Sequence, residues 1–239
     1  MANTGRQRVA VVVAGAGARG GYEAGALSVL IPRLLASGYE PAIYVGTSAG
    51  AINATLFAAH AHCSPDEQAR RVLDLWRSIS VAEVYRSPVL GFPCVAAAFV
   101  GQPAAGTRGA VHAPARHRPA TPQGEEVDRH QQTRQNIRDK KLTLAVVTTR
   151  GDDNRSVVFV DREDGVPVPP SYDDHAIDYV GVQMQPEHVL ASSAIPVLFP
   201  PVRLPKPSGA APARWYLDGG LRLSVRREFP GAARSHASH

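Results

Sequence analysis

The sequence predicts an α/β fold, a mainly parallel central sheet flanked by helices, and three observations predict it. Arg8–Ala14 (RVAVVVA) is an unbroken β-branched run of the kind buried on both faces in a parallel sheet. Glycines follow it at once, and then a segment with helical apolar spacing. The same strand–turn–helix order returns at Ala42–Thr47 and Ala49–His60. A chain of 239 residues can hold one such domain, which we place at 8–225.

The elements follow in order. Gly15–Gly21 reads as a turn with exposed backbone. Tyr22–Ser37 is a helix with Leu27, Leu30, Ile31, Leu34 and Leu35 on one face, a kink at Pro32 and a stop at Gly38. Pro65–Ile79 carries fuller start signals: Ser64 at N-cap, Pro65 first in the helix and Glu67 three residues after the cap. Ala69, Val72, Leu73 and Trp76 then recur at helical spacing. From Gln102 to Asp128 there is neither periodicity nor an apolar run, and 102–130 reads as an irregular or disordered insert. Lys141–Thr149 and Ser156–Asp161 are strands, paired through a turn at Gly151–Asn154. Pro186–Ala194 is a short helix stopped by Pro196. Trp215–Leu217 is a last strand leading into Asp218-Gly219-Gly220, and 226–239 has no core pattern and reads as a disordered tail.

Composition narrows the class. The formal charge of +5 rests mostly on arginines scattered along the chain, a solvated surface rather than a nucleic-acid stripe. Cys63 and Cys94 lack metal-ligand spacing and read as buried thiols of a reducing compartment, and no metal or cofactor is implied. The apolar run Val9–Ala14 leads into glycines rather than a cleavage region, and Pro88–Gly101 is too short and too interrupted to span a bilayer. These features predict a cytoplasmic protein that at most touches a membrane peripherally.

Gly46-Thr47-Ser48-Ala49-Gly50 is a G-x-S-x-G between a strand and a helix, the setting of a nucleophile elbow. The helix beginning at Ala49 directs its positive end at Ser48, which favours developing negative charge. A plain strand–helix turn fits the same five residues. Gly15-Ala16-Gly17-Ala18-Arg19-Gly20 is ambiguous: it fits the dinucleotide fingerprint, and equally a loop of exposed N–H groups forming an oxyanion hole. The nucleotide reading needs an acid at the end of the second strand; Glu40 lies before that strand instead. Asp218 at a strand end could take the serine's proton, although Asp-Gly also makes ordinary turns. The histidines at 60, 62, 112, 117, 130, 175 and 188 are scattered and read as surface residues, and His236 and His239 lie in the polar tail. Without a convincing histidine, a two-residue serine–aspartate device is favoured over a triad.

These three motifs in this order resemble the patatin-like phospholipases, as does Ala191-Ser192-Ser193-Ala194-Ile195-Pro196 followed by Phe199-Pro200-Pro201. The resemblance covers about 8–100 and 135–225. It implies a three-layer α/β fold and a dyad in which Ser48 attacks an ester carbonyl, Asp218 acts as general base and water resolves the acyl-enzyme. It further implies that the backbone of Gly15–Ala18 holds the oxyanion and that Arg19 shapes or polarises that loop. Gly46, Thr47, Ala49 and Gly50 would form the elbow, and Gly219 and Gly220 the aspartate motif. The substrates would be phospholipids or related acyl esters, with no cofactor, and Pro88–Gly101 would be the segment in reach of a membrane.

Three departures stand against that pattern. Ala16 replaces a middle glycine, 102–128 does not resemble the corresponding helical region, and the chain ends soon after the D-G-G motif. The two anomalous stretches have the look of sequence read out of frame. Two other readings stay open: an inactive, shortened remnant or binding module, and an NAD(P)-binding oxidoreductase.

Overall fold

In the computed structural model, which describes residues 5–78, 129–140, 142–205 and 212–224, three parallel strands set the frame. They are β1 (Gln7–Val13), β2 (Tyr39–Thr47) and β3 (Thr143–Arg150). β4 (Ser156–Asp161) returns antiparallel to β3 across the predicted turn, closed by Arg150 N–H donating to the Arg155 carbonyl at 2.9 Å. Asn154 takes the left-handed backbone that this turn needs, φ 54°. β5 (Ile177–Gly181) lies parallel to β4, while β6 (Val202–Leu204) and β7 (Arg214–Asp218) pair antiparallel, β7 joining β3. The result is a mixed seven-stranded sheet of order β1-β2-β3-β4-β5, with β7 and then β6 branching from β3.

Helices α1 (Gly20–Ala36), α2 (Ala49–Ala59) and α3 (Pro65–Ser78) follow the first two strands, α4 (Arg129–Lys140) precedes β3, and α5 (Pro186–Ser192) and α6 (Gly220–Ser224) flank the last strands. α2 is almost wholly small and apolar, and nine of its eleven residues are buried, which makes it the central helix. Its Leu56, Phe57 and Ala58 join Val11, Val13, Tyr44, Leu144, Val146 and Phe159 in the main core. Burying each large member contributes roughly 1.5–3 kcal/mol. α3 starts as its residues predict: Ser64 Oγ accepts the Glu67 N–H at 3.4 Å, and the Ser64 carbonyl accepts that of Gln68 at 2.8 Å.

Several expectations change. β1 is buried on one face only: Val11 and Val13 are covered, but Val12 is 71% exposed, because the strand ends the described sheet order. On α1 the buried stripe is Ala24, Leu27 and Ile31, and Leu30, on its edge, is exposed. The helix continues through Pro32 and stops at Gly38, whose φ of 84° suits glycine. His60 is buried rather than superficial, its Nδ1 2.8 Å from the Leu56 carbonyl, and Cys63 is a half-buried free thiol.

α4, β5 and β6 carry no signal that hydrophobic spacing could register. α4 is anchored by polar groups: Asn136 Nδ2 donates to the carbonyls of Ala58 and Ala59, each at 2.8 Å, satisfying the end of α2. Arg134 pairs with the buried Asp161 at the end of β4. The expected insert at 102–130 lies outside the described residues except Arg129 and His130, which open α4. Ile79, Pro88–Gly101, Cys94, Lys141 and 226–239 also lie outside them.

Candidate active site

The sheet itself brings the serine and aspartate motifs together. β2 covers one edge of β3 only as far as Thr47, opposite Val147. β7 takes over that edge at the next residue, with Asp218 opposite Thr148. The two strands run in opposite directions along β3, so their C-terminal ends meet head to head. Ser48 leaves one end and Gly219 the other. The approach is close: a Cβ on Gly219 would lie 2.2 Å from the Val147 carbonyl oxygen and 3.0 Å from Thr47 Cγ2.

At the end of β2 the chain turns sharply into α2. Ser48 has φ 55° and ψ −128°, a strained conformation for a residue with a side chain, worth of order 1–3 kcal/mol. Surrounding bonds hold it there. Its carbonyl accepts the Ala51 N–H at 2.9 Å and the Ser193 hydroxyl at 3.1 Å. Its N–H donates to Ser192 Oγ at 2.9 Å, and Ser192 Oγ donates on to the Val147 carbonyl at 2.6 Å. The glycines of the motif are steric necessities: a Cβ on Gly46 would sit 2.4 Å from Ala51 Cα, and one on Gly50 2.3 Å from the Val13 carbonyl oxygen.

Ser192 and Ser193 are visible in the sequence only as part of a family segment, without a role. Ser192 fixes the backbone on both sides of the site, and no local pattern could announce a partner 144 residues away. Ser192→Ala is expected to destabilise the protein by about 1–3 kcal/mol, because the Ser48 N–H and the Val147 carbonyl lose their partner. A melting temperature lowered by several degrees would show it; an unchanged melt would contradict this account of the turn.

Asp218 is buried, and its main chain is tied to the same loop through Asp218 N–H to the Ala194 carbonyl at 3.0 Å. Burial pushes its carboxyl above the ordinary carboxylate value; the Ser48 hydroxyl and the Gly220 N–H act in the opposite sense. Gly220 N–H donates to Oδ1 at 2.7 Å. Oδ2 has no hydrogen-bond partner among the described residues, so the Ser48 hydroxyl lies close enough to influence the carboxylate without a well-formed bond to it. Catalytic hydrogen bonds are often loose before substrate arrives.

The glycine-rich loop lies along the other side of the serine. A Cβ on Gly15 would be 3.0 Å from Ser48 Cβ and 3.7 Å from its Oγ. Ala16 is half-buried and its carbonyl accepts the Arg19 N–H at 3.0 Å, forming a short 3₁₀ turn at Gly17–Arg19; Gly17 has φ 53°. Ala18 and Arg19 are exposed, and Arg19 makes no ion pair among the described residues. Gly20 belongs to the packing rather than to the loop's open face, since a Cβ there would strike Trp76 at 2.4 Å. Buried Asn53 locks this corner, donating to the Gly20 carbonyl at 2.9 Å and accepting from Trp76 Nε1 at 2.8 Å. Sequence reasoning misses Asn53; a lone polar residue inside an otherwise apolar helix is the available signal. Glu40, the candidate ribose ligand, stands opposite Arg8 at the start of β2, the other end from the loop.

The architecture is thus an α/β fold whose mixed, mostly parallel sheet is flanked by helices, with a strand–turn–helix serine facing a glycine-rich loop and a strand-end aspartate. Residues 11–226 match the family described as patatin-like phospholipase, and the chain belongs to that family. Among solved structures it is similar to VipD from Legionella pneumophila, with a TM-score of 0.52, 16% identity, and coverage of 96% of this chain and 48% of that one. The chain spans about half the length of that protein, and at this identity the likeness concerns the fold alone. No curated protein matches.

Proposed function

We propose that the chain is a lipid acyl hydrolase in which Ser48 is the nucleophile and Asp218 its base. The observation that carries this reading is the head-to-head meeting of β2 and β7, which delivers a strained serine and a buried carboxylate to one point. Ser48 Oγ attacks the acyl carbonyl as its proton passes to Asp218. The tetrahedral oxyanion is held by N–H groups of the Gly15–Ala18 loop, whose Gly15 lies against the serine, and by the N-terminus of α2. Collapse expels the alcohol, protonated from Asp218, and leaves Ser48 acylated. Water, deprotonated by Asp218, then releases the acid. Family membership supports phospholipids or related acyl esters as the substrate class. Among the described residues no helix is long and apolar enough to cross a membrane.

A fluorophosphonate probe tests the assignment. The folded protein is expected to be labelled covalently at Ser48, and Ser48→Ala not at all. A folded wild type that resists the probe would replace this reading with that of a non-catalytic binding module, and a variant that labels equally would remove Ser48 as the nucleophile.

A further inference from the structure

From Val189 to Val202 the chain carries no charged residue, and the first half of this stretch is anchored at the candidate active site. Ser192 and Ser193 hold the two backbone groups of Ser48, and the Ala194 carbonyl accepts the Asp218 N–H at 3.0 Å. Val197 follows three residues later, so no more than about 11 Å of chain separates it from that contact.

The turn that carries Val197 is at odds with its sequence. The Ile195 carbonyl accepts the Leu198 N–H at 3.2 Å and the Phe199 N–H at 2.9 Å, which closes the turn around Pro196 and Val197. Proline in the second position and a positive φ in the third are the marks of a type II turn, whose third position takes glycine or asparagine. Val197 stands there instead, with φ 73°, and a β-branched residue in that conformation is strained. Packing does not compensate, because Val197 is 100% exposed and Leu198 beside it 44%. Backbone strain of this kind clusters at active sites and ligand clamps. A strained apolar residue that buries nothing within its own fold is placed to bury itself in something else.

We propose that this turn is a lipid-contact tip, with Val197 and Leu198 entering the apolar layer of a membrane and holding the Ser48 site against it. The proposal rests on the reading of that site as a lipid acyl hydrolase. A membrane suits the tip better than a protein does. Ile195-Pro196-Val197-Leu198-Phe199 offers no side-chain hydrogen-bonding group, and burial in lipid needs none, since the apolar driving force is non-directional. Two exposed side chains also fall far short of the roughly 800 Å² per partner that a stable protein interface buries.

The test is cosedimentation of the full chain with phosphatidylcholine vesicles, in a Ser48→Ala background so that the lipid stays intact. The bound fraction is expected to rise saturably with lipid and to be insensitive to salt, since these vesicles carry no net charge. Val197→Asn is expected to weaken binding about tenfold, the loss of one buried valine side chain. Asparagine tolerates the positive φ, so in the wild-type background this variant should melt at or above the wild-type temperature. It should also hydrolyse a water-soluble chromogenic ester at the wild-type rate. That assay separates two failures: a wild type inert toward the soluble ester counts against the hydrolase reading, while vesicle binding decides the tip. Absence of vesicle binding, or Val197→Asn that binds as well as wild type, overturns the proposal. So does Val197→Asn that melts clearly lower, which would mean that Val197 packs within the chain, or that converts a dimer to a monomer, which would mean that a second copy covers the tip.

Discussion

Replacing Asp218 by asparagine is expected to lower acyl-ester turnover by on the order of 10²–10⁴ while the melting temperature at neutral pH stays level or rises. Both halves follow from one fact. Burial raises the carboxyl's pKa, so the folded protein holds that proton more tightly than the unfolded chain does. The stability Asp218 contributes is therefore fully present below its unfolded pKa and lost as pH rises through the higher folded one. At neutral pH its ionised form opposes folding, and a neutral amide of the same shape removes that opposition. Asparagine Oδ1 can still accept the Gly220 N–H that Asp218 accepts at 2.7 Å. Catalysis runs the other way, since a base must be ionised. Activity should fall as pH drops through the raised pKa, on a limb lying above the ordinary aspartate value of 3.8. A pH–rate profile with a chromogenic ester, and melts of both proteins across the same range, would check each half. An asparagine variant within tenfold of wild-type activity would remove Asp218 from the reaction.

How far the sequence reveals this arrangement depends on whether a feature is local. Strand–turn–helix signals around Ser48 are local: β-branched residues, then glycines, then small apolar residues at helical spacing, and the structure forms β2, the turn and α2 there. The start of α3 is equally plain, because capping is decided within four residues. The placement of Asp218 is not local. It depends on β7 occupying the edge of β3 that β2 vacates, a pairing across some 70 residues that no periodicity records. α4 escapes because it docks through Asn136 and Arg134 rather than through an apolar stripe. β5 and β6 are short and partly exposed, and so lack both alternation and a continuous apolar run. Burial of both faces of β1 does not follow from its composition, since a run of valines does not say which neighbours cover it.

Gly50→Ala is expected to reduce both stability and activity, although an alanine inside a helix ordinarily helps by about 0.5–1 kcal/mol. The new Cβ would lie 2.3 Å from the Val13 carbonyl oxygen and 2.5 Å from that of Ala14. Both are backbone atoms and cannot rotate aside, so the end of β1 and the first turn of α2 must separate by roughly an ångström, the overpacking response of a tight core. Overpacking of this kind costs about 1–3 kcal/mol, occasionally more, which outweighs the helical gain. The separation also falls where function is sensitive. β1 leads into the Gly15 loop, α2 begins beside Ser48, and Gly15 stands against the serine, at 3.0 Å for a Cβ built on it. A displacement of about 1 Å between nucleophile and oxyanion donors can lower turnover on the order of 10². Gly25 supplies the control: it lies on α1, and a methyl group there would meet nothing within 4 Å, so Gly25→Ala should melt slightly higher than wild type and keep its activity. Paired melts and ester assays separate the cases. If Gly50→Ala gains stability as Gly25→Ala does, β1 does not pack against the first turn of α2, and the Gly15 loop is not held beside Ser48 by that contact.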